Sequence, residues 1–256
     1  MLLCSVRGCH LGLVRDQRRM FCPHGHSFDI ARSGYINLLQ PQDRRAKRPG
    51  DTPEAVAARR RLHDLGVTEP LRLAIAEAIA ATPNDVVLDA GSGDGFYLGA
   101  LQCETGFRGH GIDISIPAVD AAARRYAGCE WVVANADRFV PYADQSFSVV
   151  LSITARMNPG EFRRVLRGGG RLLVAVSAPD DLIELRGSGR DRVAQTLDRF
   201  AHGFTLTGQR RISTSADLEA SAVGDVLLSI YRPMRPRAPE AMRVTFSLDL
   251  LLFSPE

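Results

Sequence analysis

The sequence predicts an α/β fold: a doubly wound, largely parallel sheet of the Rossmann-like class, preceded by a small metal-held module. Three observations predict it. From Asp85 onward, short apolar runs alternate with helical segments; the first of those runs ends in a glycine-rich turn; and the first forty residues carry cysteines and histidines in close pairs. Alternating strand and helix signals mark a parallel sheet with crossover helices. A Cys/His-rich stretch too short for a core of its own marks a fold that depends on a bound metal.

Residues 1–40 form the predicted module. Cys4 and Cys9 have four residues between them, and Cys22 and His26 have three, within CPHGH. Three thiolates and an imidazole in two close pairs match a closed tetrahedral zinc site. His10 and His24 compete for the fourth position, and C-x4-C is looser than the usual C-x2-C knuckle. Five cysteines in 256 residues do not make a disulfide scaffold, so a reducing compartment is expected. Cys103 and Cys129 lie inside the α/β pattern without a histidine partner and read as small core residues.

Residues 41–84 read as a basic linker and two lead-in helices. The net charge is +3, but residues 1–62 alone carry +7, leaving −4 for the rest. The cluster Arg44, Arg45, Lys47 and Arg48 sits in a polar, Pro-flanked stretch with no core to serve, and arginine forks suit phosphate contacts. Thr52-Pro-Glu54 opens a helix through Leu65, and Glu69-Pro70 opens another through Ala80, each with proline in its first turn.

Residues 85–256 carry the α/β pattern. VVLDA, HGIDIS, EWVVANA, SFSVVLSI and RLLVAVS are strand candidates, separated by the helix candidates FYLGALQ, PAVDAAARRYA and EFRRVLR. The tail gives VLLSIY and VTFSLDLLLF, read as an antiparallel final pair. No run of eighteen apolar residues exists, and MLLCSV is broken by Arg7 and Gly8 too soon for a signal segment. The chain is therefore expected to be soluble and cytoplasmic, with no membrane contact.

VVLDA runs into Gly91-Ser-Gly93-Asp-Gly95, spaced G-x-G-x-G where a dinucleotide site prefers G-x-G-x-x-G. Asp89 and Asp94 place negative charge where phosphates would go, whereas a cationic sulfonium tolerates it, so the cofactor implied is S-adenosylmethionine. Twenty residues beyond Gly93, Asp113 ends the second strand, positioned to accept ribose hydroxyls. After the third strand, Asn135-Ala-Asp137 either hydrogen-bonds an adenine or is a plain surface turn.

Taken together, these residues resemble the RlmA-type family of large-subunit (23S) rRNA guanine-N1 methyltransferases, which includes the tylosin-resistance methyltransferases. The resemblance covers almost the whole chain. It rests on the zinc pairs followed by His26-Ser-Phe-Asp29-Ile-Ala-Arg-Ser-Gly34-Tyr35-Ile-Asn37-Leu-Leu, on Pro49-Gly-Asp51 with Arg59-Arg60, on LDAGSGDGFY and GIDIS, and on RRVLRGGGRLLVAVSAP with Leu182-Ile-Glu-Leu185. It implies a class I S-adenosylmethionine-dependent methyltransferase behind a zinc-ribbon-like module, an rRNA hairpin near the peptide exit tunnel as substrate, 1-methylguanine as product, a homodimer and a link to macrolide resistance. Three positions depart from the family: Thr68 stands where a cofactor-contacting tyrosine is usual, Ala155-Arg156 where Ala-Pro is usual, and Asp181 where a histidine is usual.

The residues agree with a ring nitrogen as target. Amino-group methyltransferases carry an Asn/Asp-Pro-Pro-aromatic tetrad after the fourth strand, whereas Asn158-Pro159 lacks the aromatic and reads as a turn opening a helix. No cysteine nucleophile stands at a strand end. Asp181, on the carboxyl edge after the fifth strand, is the candidate base for a guanine N1 proton, and Arg156 the candidate partner for charge on O6. The competing readings are a small-molecule or quinone methyltransferase, which needs a lipophilic lid and no zinc module, and a non-catalytic RNA-binding protein retaining the fold.

Overall fold

A computed structural model of the chain describes residues 1–43, 49–230 and 238–256; the basic cluster Arg44, Arg45, Lys47 and Arg48 lies outside the described residues. In chain order, the front carries strands β1 (Val14–Asp16), β2 (Arg19–Phe21), β3 (Ser27–Asp29) and β4 (Ile36–Asn37), then helices α1 (Pro53–Asp64) and α2 (Glu69–Ile79). The alternating block follows as β5 (Val86–Ala90), α3 (Phe96–Thr105), β6 (Arg108–Asp113), α4 (Ile116–Arg125), β7 (Cys129–Val133), β8 (Phe147–Ile153), α5 (Pro159–Val165) and β9 (Leu166–Ser177). The chain closes with α6 (Ile183–Arg186), α7 (Val193–Phe200), β10 (Phe204–Leu218), α8 (Ala220–Ser229) and β11 (Met242–Pro255).

Local chemistry sets the helix starts. Thr52, Ser115 and Asn158 each accept a backbone N–H from three residues on, with proline in the first turn of α1, α4 and α5; such caps satisfy donors that the helix leaves orphaned. Gly95 and Gly106 bound α3, both with positive φ.

The main sheet has the order β10-β11-β9-β8-β5-β6-β7-β4. Strands β4 to β9 in this sheet run parallel, while β11 runs antiparallel to both β9 and β10. From β5 the chain winds one way through β6 and β7, then returns to place β8 and β9 on the other side. That reversal opens a crevice at the carboxyl end of β5, where ligands bind in open parallel sheets.

The front residues do not stand apart from this sheet. β1, β2 and β3 form a small antiparallel sheet of their own, but β4 pairs parallel with β7. Leu2, Cys4, Leu13, Met20, Cys22 and Phe28 share one buried cluster with Val86, Leu88, Val150 and Tyr142. The Leu3 N–H donates to the Pro141 carbonyl at 2.9 Å.

The tail differs from the sequence expectation. Residues 226–229 of the run VLLSIY lie in α8, not a strand, and the antiparallel partner at the sheet edge is the fifteen-residue β10. Ala222, Val223 and Val226 fall at helical spacing and pack with Leu62, Leu182 and Val244. β10 is an edge strand whose middle residues are mostly exposed, so its polar sequence carries no apolar run to announce it. Two smaller corrections follow. α5 stops at Val165 and Leu166-Arg167 open β9, and Cys103 is exposed on α3 while Cys129 is buried.

Candidate functional site

Strand β5 is buried along its length and delivers Asp89 to the crevice with only 2% of its surface exposed. Its Oδ1 has no hydrogen-bond partner among the described residues, and burial, reinforced by the charge of Asp113, lifts its pKa from 3.8 to about 8. An unpaired buried carboxyl at a crevice is a costly arrangement that a cationic ligand would relieve. Gly91, Gly93 and Gly95 all have positive φ, yet they serve different ends. A Cβ on Gly91 would stand 2.3 Å from the Ala155 Cβ, and one on Gly95 would stand 2.4 Å from the Trp131 ring, so these two permit close packing. At Gly93 a Cβ would meet only the Arg59 guanidinium, at 3.4 Å; this glycine faces the crevice.

Asp113 ends β6 and accepts hydrogen bonds from the backbone N–H groups of Gly93 at 2.9 Å and Ser115 at 2.8 Å. It ties the glycine loop to the second strand. Burial raises the pKa of both Asp113 and Asp94.

Sequence reasoning missed Arg59 as a site residue. From α1 its guanidinium donates to the Asp51 carboxylate at 2.6 Å and to the Ser229 carbonyl at 3.0 Å. Burial works against its charge, and Asp51, Asp94 and Asp113 more than restore it. One arginine thus stands among Asp51, Asp94 and Asp113, with Asp89 holding its proton until a cation approaches, a balance that favours a ligand carrying positive charge together with a carboxylate. The signal available was Pro49-Gly-Asp51 eight residues before an arginine on an alanine-rich helix.

Thr68 reaches the crevice through a histidine. Its Oγ1 lies 2.7 Å from His63 Nδ1, and His63 Nε2 lies 3.8 Å from Asp94 Oδ1. The His63 ring stacks on Phe96 with centroids 3.9 Å apart, and burial followed by the charge of Arg59 lowers its pKa to about 3, leaving it neutral. Tyr97, also unforeseen, lies at the same corner, its phenol pushed upward by burial and by Asp94.

The remaining predicted residues lie beyond the ends of β7, β8 and β9. Thr154 and Leu182 hold φ of +49° and +54°, strained values for side-chain-bearing residues, and such strain gathers at functional sites. Arg156 and Asp137 form one ion pair at 3.2 Å, with side chains 61% and 36% exposed. Asp181 is buried; its Oδ1 accepts the Ser247 N–H at 3.2 Å, and its Oδ2 lies 3.7 Å from the Arg186 guanidinium. Burial raises its pKa. Asn158 caps α5 and donates from its amide to the Ala136 and Asp137 carbonyls, binding the β7 and β8 loops together.

The Asp89 shift has a measurable consequence. Because the folded pKa of about 8 lies above the ordinary 3.8, the stability this group contributes is complete below about pH 4 and is lost as pH rises through about 8. Calorimetric melting of the cofactor-free protein should therefore show a falling midpoint across that window, with most of the slope removed in Asp89→Asn. An equal slope in the variant assigns the effect to another group.

At the front, the ligand atoms of Cys4, Cys9, Cys22 and His26 all lie within 4.8 Å of one another. Cys9 and Cys22 sulfurs are 3.7 Å apart, and His26 Nδ1 is 3.4 Å from the sulfurs of Cys4 and Cys22. Tetrahedral zinc with Zn–S of about 2.3 Å requires sulfurs ~3.8 Å apart, so the four residues fit the metal. His24 Nδ1 stands outside the cluster, 3.6 Å from Cys9, and His10 stacks on Phe139. Burial pushes Cys4 up to about 12, whereas backbone N–H groups of His26 and His24 outweigh burial at Cys22 and hold it at about 7.

Comparison with known proteins agrees with both halves of this geometry. Residues 3–47 match the zinc-ribbon family described as RlmA, N-terminal, and residues 87–174 match the family described as Methyltransferase domain. A 23S rRNA (guanine(748)-N(1))-methyltransferase of Streptomyces fradiae is 36% identical over 233 residues, covering 86% of this chain and 81% of the relative. A relative in Micromonospora griseorubida, 38% identical over 203 residues, covers 72% of this chain and 68% of its own length and bears a guanine-N(1) designation for the same rRNA. Among solved structures, a TehB-like SAM-dependent methyltransferase from Corynebacterium glutamicum superposes with a TM-score of 0.51 at 17% identity, covering 80% of this chain and 98% of that one; it speaks for the fold alone. S-adenosylmethionine and zinc are accordingly the cofactors of this chain, and the chain belongs to the RlmA-type family of 23S rRNA (guanine-N1)-methyltransferases.

Proposed function

We propose that this protein methylates N1 of a guanine in a hairpin loop of 23S rRNA. The observation that carries the reading is the joining of an acid-lined crevice at β5 to a Cys3His module through one shared core. In this reading Asp89, Asp94, Asp113 and the loop Gly91–Gly95 hold the cofactor, with Asp113 on the ribose, Arg59 on the carboxylate of the methionine portion and Asp137 toward the adenine. Thr68 acts through His63. S-adenosylmethionine, when bound, supplies the electrophilic methyl group.

The chain's own residues must do the rest. A guanine N1 carries a proton at neutral pH and must lose it, and the base must be swung out of its loop to reach the crevice. Asp181, whose carboxyl pKa is raised by burial, takes that proton or orients the water that does. Arg156 faces O6 once it exchanges Asp137 for substrate. Arg44, Arg45, Lys47 and Arg48 contribute phosphate contacts. Pairing of two copies, a cytoplasmic setting and a link to macrolide resistance belong to the same proposal. No helix among the described residues is long and apolar enough to cross a membrane.

Mass mapping of methylated nucleotides in large-subunit RNA, from cells with and without the gene, tests the reading. One 1-methylguanine should depend on the gene, and a methyl group on N7 or N2 instead overturns the target atom. In single-turnover assays Asp181→Asn should lose about 10²-fold or more in rate, the scale of a lost general base, with cofactor affinity unchanged. A wild-type rate in that variant removes Asp181 from the chemistry.

A further inference from the structure

At the seam between the metal module and the main sheet lies a groove of about 400 Å³, walled by Phe28 and Leu39 and edged by Ser27, Asp29, Asn37 and Gln40. We infer that this groove is a second nucleobase site, holding an unpaired guanine of the target RNA other than the one methylated. The inference rests on the rRNA substrate proposed above and adds to it a second point of sequence recognition.

Hydrogen bonds within the protein determine what the groove offers. The backbone of Asp29 pairs with Arg19 across β2 and β3, while its exposed carboxylate has no hydrogen-bond or ion-pair partner among the described residues. Asn37 Oδ1 already accepts the Leu39 N–H at 3.2 Å, which leaves its amide N–H groups for a ligand. Gln40 Nε2 donates to Ser5 Oγ at 3.2 Å and to the Leu38 carbonyl at 3.3 Å, which leaves its carbonyl oxygen. The groove therefore presents a two-oxygen carboxylate acceptor, an amide donor and an amide acceptor over a floor closed by buried Phe28 and Leu39.

A phosphate is repelled by Asp29. Among the nucleobases only guanine places two adjacent donors, N1–H and the 2-amino group, beside an acceptor, O6, on one edge. The two donors match the carboxylate, and O6 matches the Asn37 amide. Sequence-specific reading of RNA acts on such splayed, unpaired bases, through their edges and by stacking.

Position and rigidity favour the same occupant. In the parallel register Asn37 is level with Val133, and Val133 is level with Asp113. Two strand spacings, or about 10 Å, separate the groove from the cofactor crevice along one sheet edge. On its other side the groove is bounded by His26, a member of the metal cluster, so zinc fixes the start of the segment that carries Ser27 and Asp29.

The test uses the full-length, zinc-loaded protein and a hairpin fragment of large-subunit RNA in which each loop guanine is replaced in turn by inosine, which lacks the 2-amino group. At one position that is not methylated, inosine should weaken binding to the wild type about tenfold, within the range for a bidentate base contact. Asp29→Ala should bind the unmodified hairpin with the same loss and be indifferent to inosine there, while its zinc content and cofactor affinity stay at wild-type values. Asp29→Asn, which keeps the shape, should reproduce the result. Full penalties for inosine in both variants, or unaltered affinity of both for the unmodified hairpin, overturn the groove assignment. Methylation of the same fragments separates the two readings. A wild type that forms 1-methylguanine without an Asp29-dependent penalty overturns the groove alone, whereas a wild type that shows the penalty and methylates no guanine N1 overturns the proposed reaction alone.

Discussion

Stripping zinc from the purified protein is expected to unfold residues 1–40, the largest single effect available in this chain. β1, β2 and β3 have three residues each; none is buried in β1 and only the central one in β2 and in β3; strands so short cannot hold a sheet on hydrogen bonds alone. In small metal modules the binding free energy of zinc, about 10–16 kcal/mol, is the folding free energy. Metal analysis should give about one zinc per chain after preparation without chelator. Hydrogen exchange after chelation should then show lost protection through the module and at β4, spreading to the facing residues of β7, because these elements share a core. β5, β8 and β9 should stay protected. Zinc-free protein with unchanged exchange at the front would refute the metal dependence.

The cofactor crevice should give the second largest effect. Asp113→Ala removes the acceptor proposed for the ribose and also frees the Gly93 and Ser115 N–H groups, so affinity for S-adenosylmethionine should fall by at least the ~1.5–3 kcal/mol typical of a hydrogen bond to a charged group. Gly93→Val should abolish binding. It forces a β-branched residue to φ of +54° and sets a side chain against Arg59. Gly91→Ala is the informative control: its Cβ would overlap Ala155, so it should lower the melting temperature as well. Titration calorimetry reads all three, and wild-type affinity in both Asp113→Ala and Gly93→Val would place the cofactor elsewhere.

Much of this was legible in the residues. Strands β5 and β8 and the second half of β9 announced themselves because they are almost wholly buried and rich in apolar residues, and the lead-in helices because Thr52-Pro and Glu69-Pro mark their starts. The cysteine pairs were legible because metal spacing is local in sequence. Arg59 was not, since its partners Asp51, Asp94, Asp113 and Ser229 are gathered from four segments. The same holds for Thr68, whose link to the crevice depends on the His63 imidazole, and for Arg156 and Asp137, which seemed independent and form a pair. β10 escaped because an exposed edge strand needs few apolar residues, and the apolar periodicity of α8 took its place.

The two-residue pairing of β4 with β7 has a bearing on substrate choice. It bolts the zinc module to the sheet edge, so the span from module to crevice is a fixed length rather than a tether. RNA held at both ends must match that length. Lengthening the loop by a nucleotide between the two contact points leaves every base and phosphate chemically intact, yet makes simultaneous seating impossible. With the proposed groove and the crevice both seating one RNA, the protein would discriminate as callipers do, by interval, and would pass over guanines that occur in the right sequence at the wrong separation.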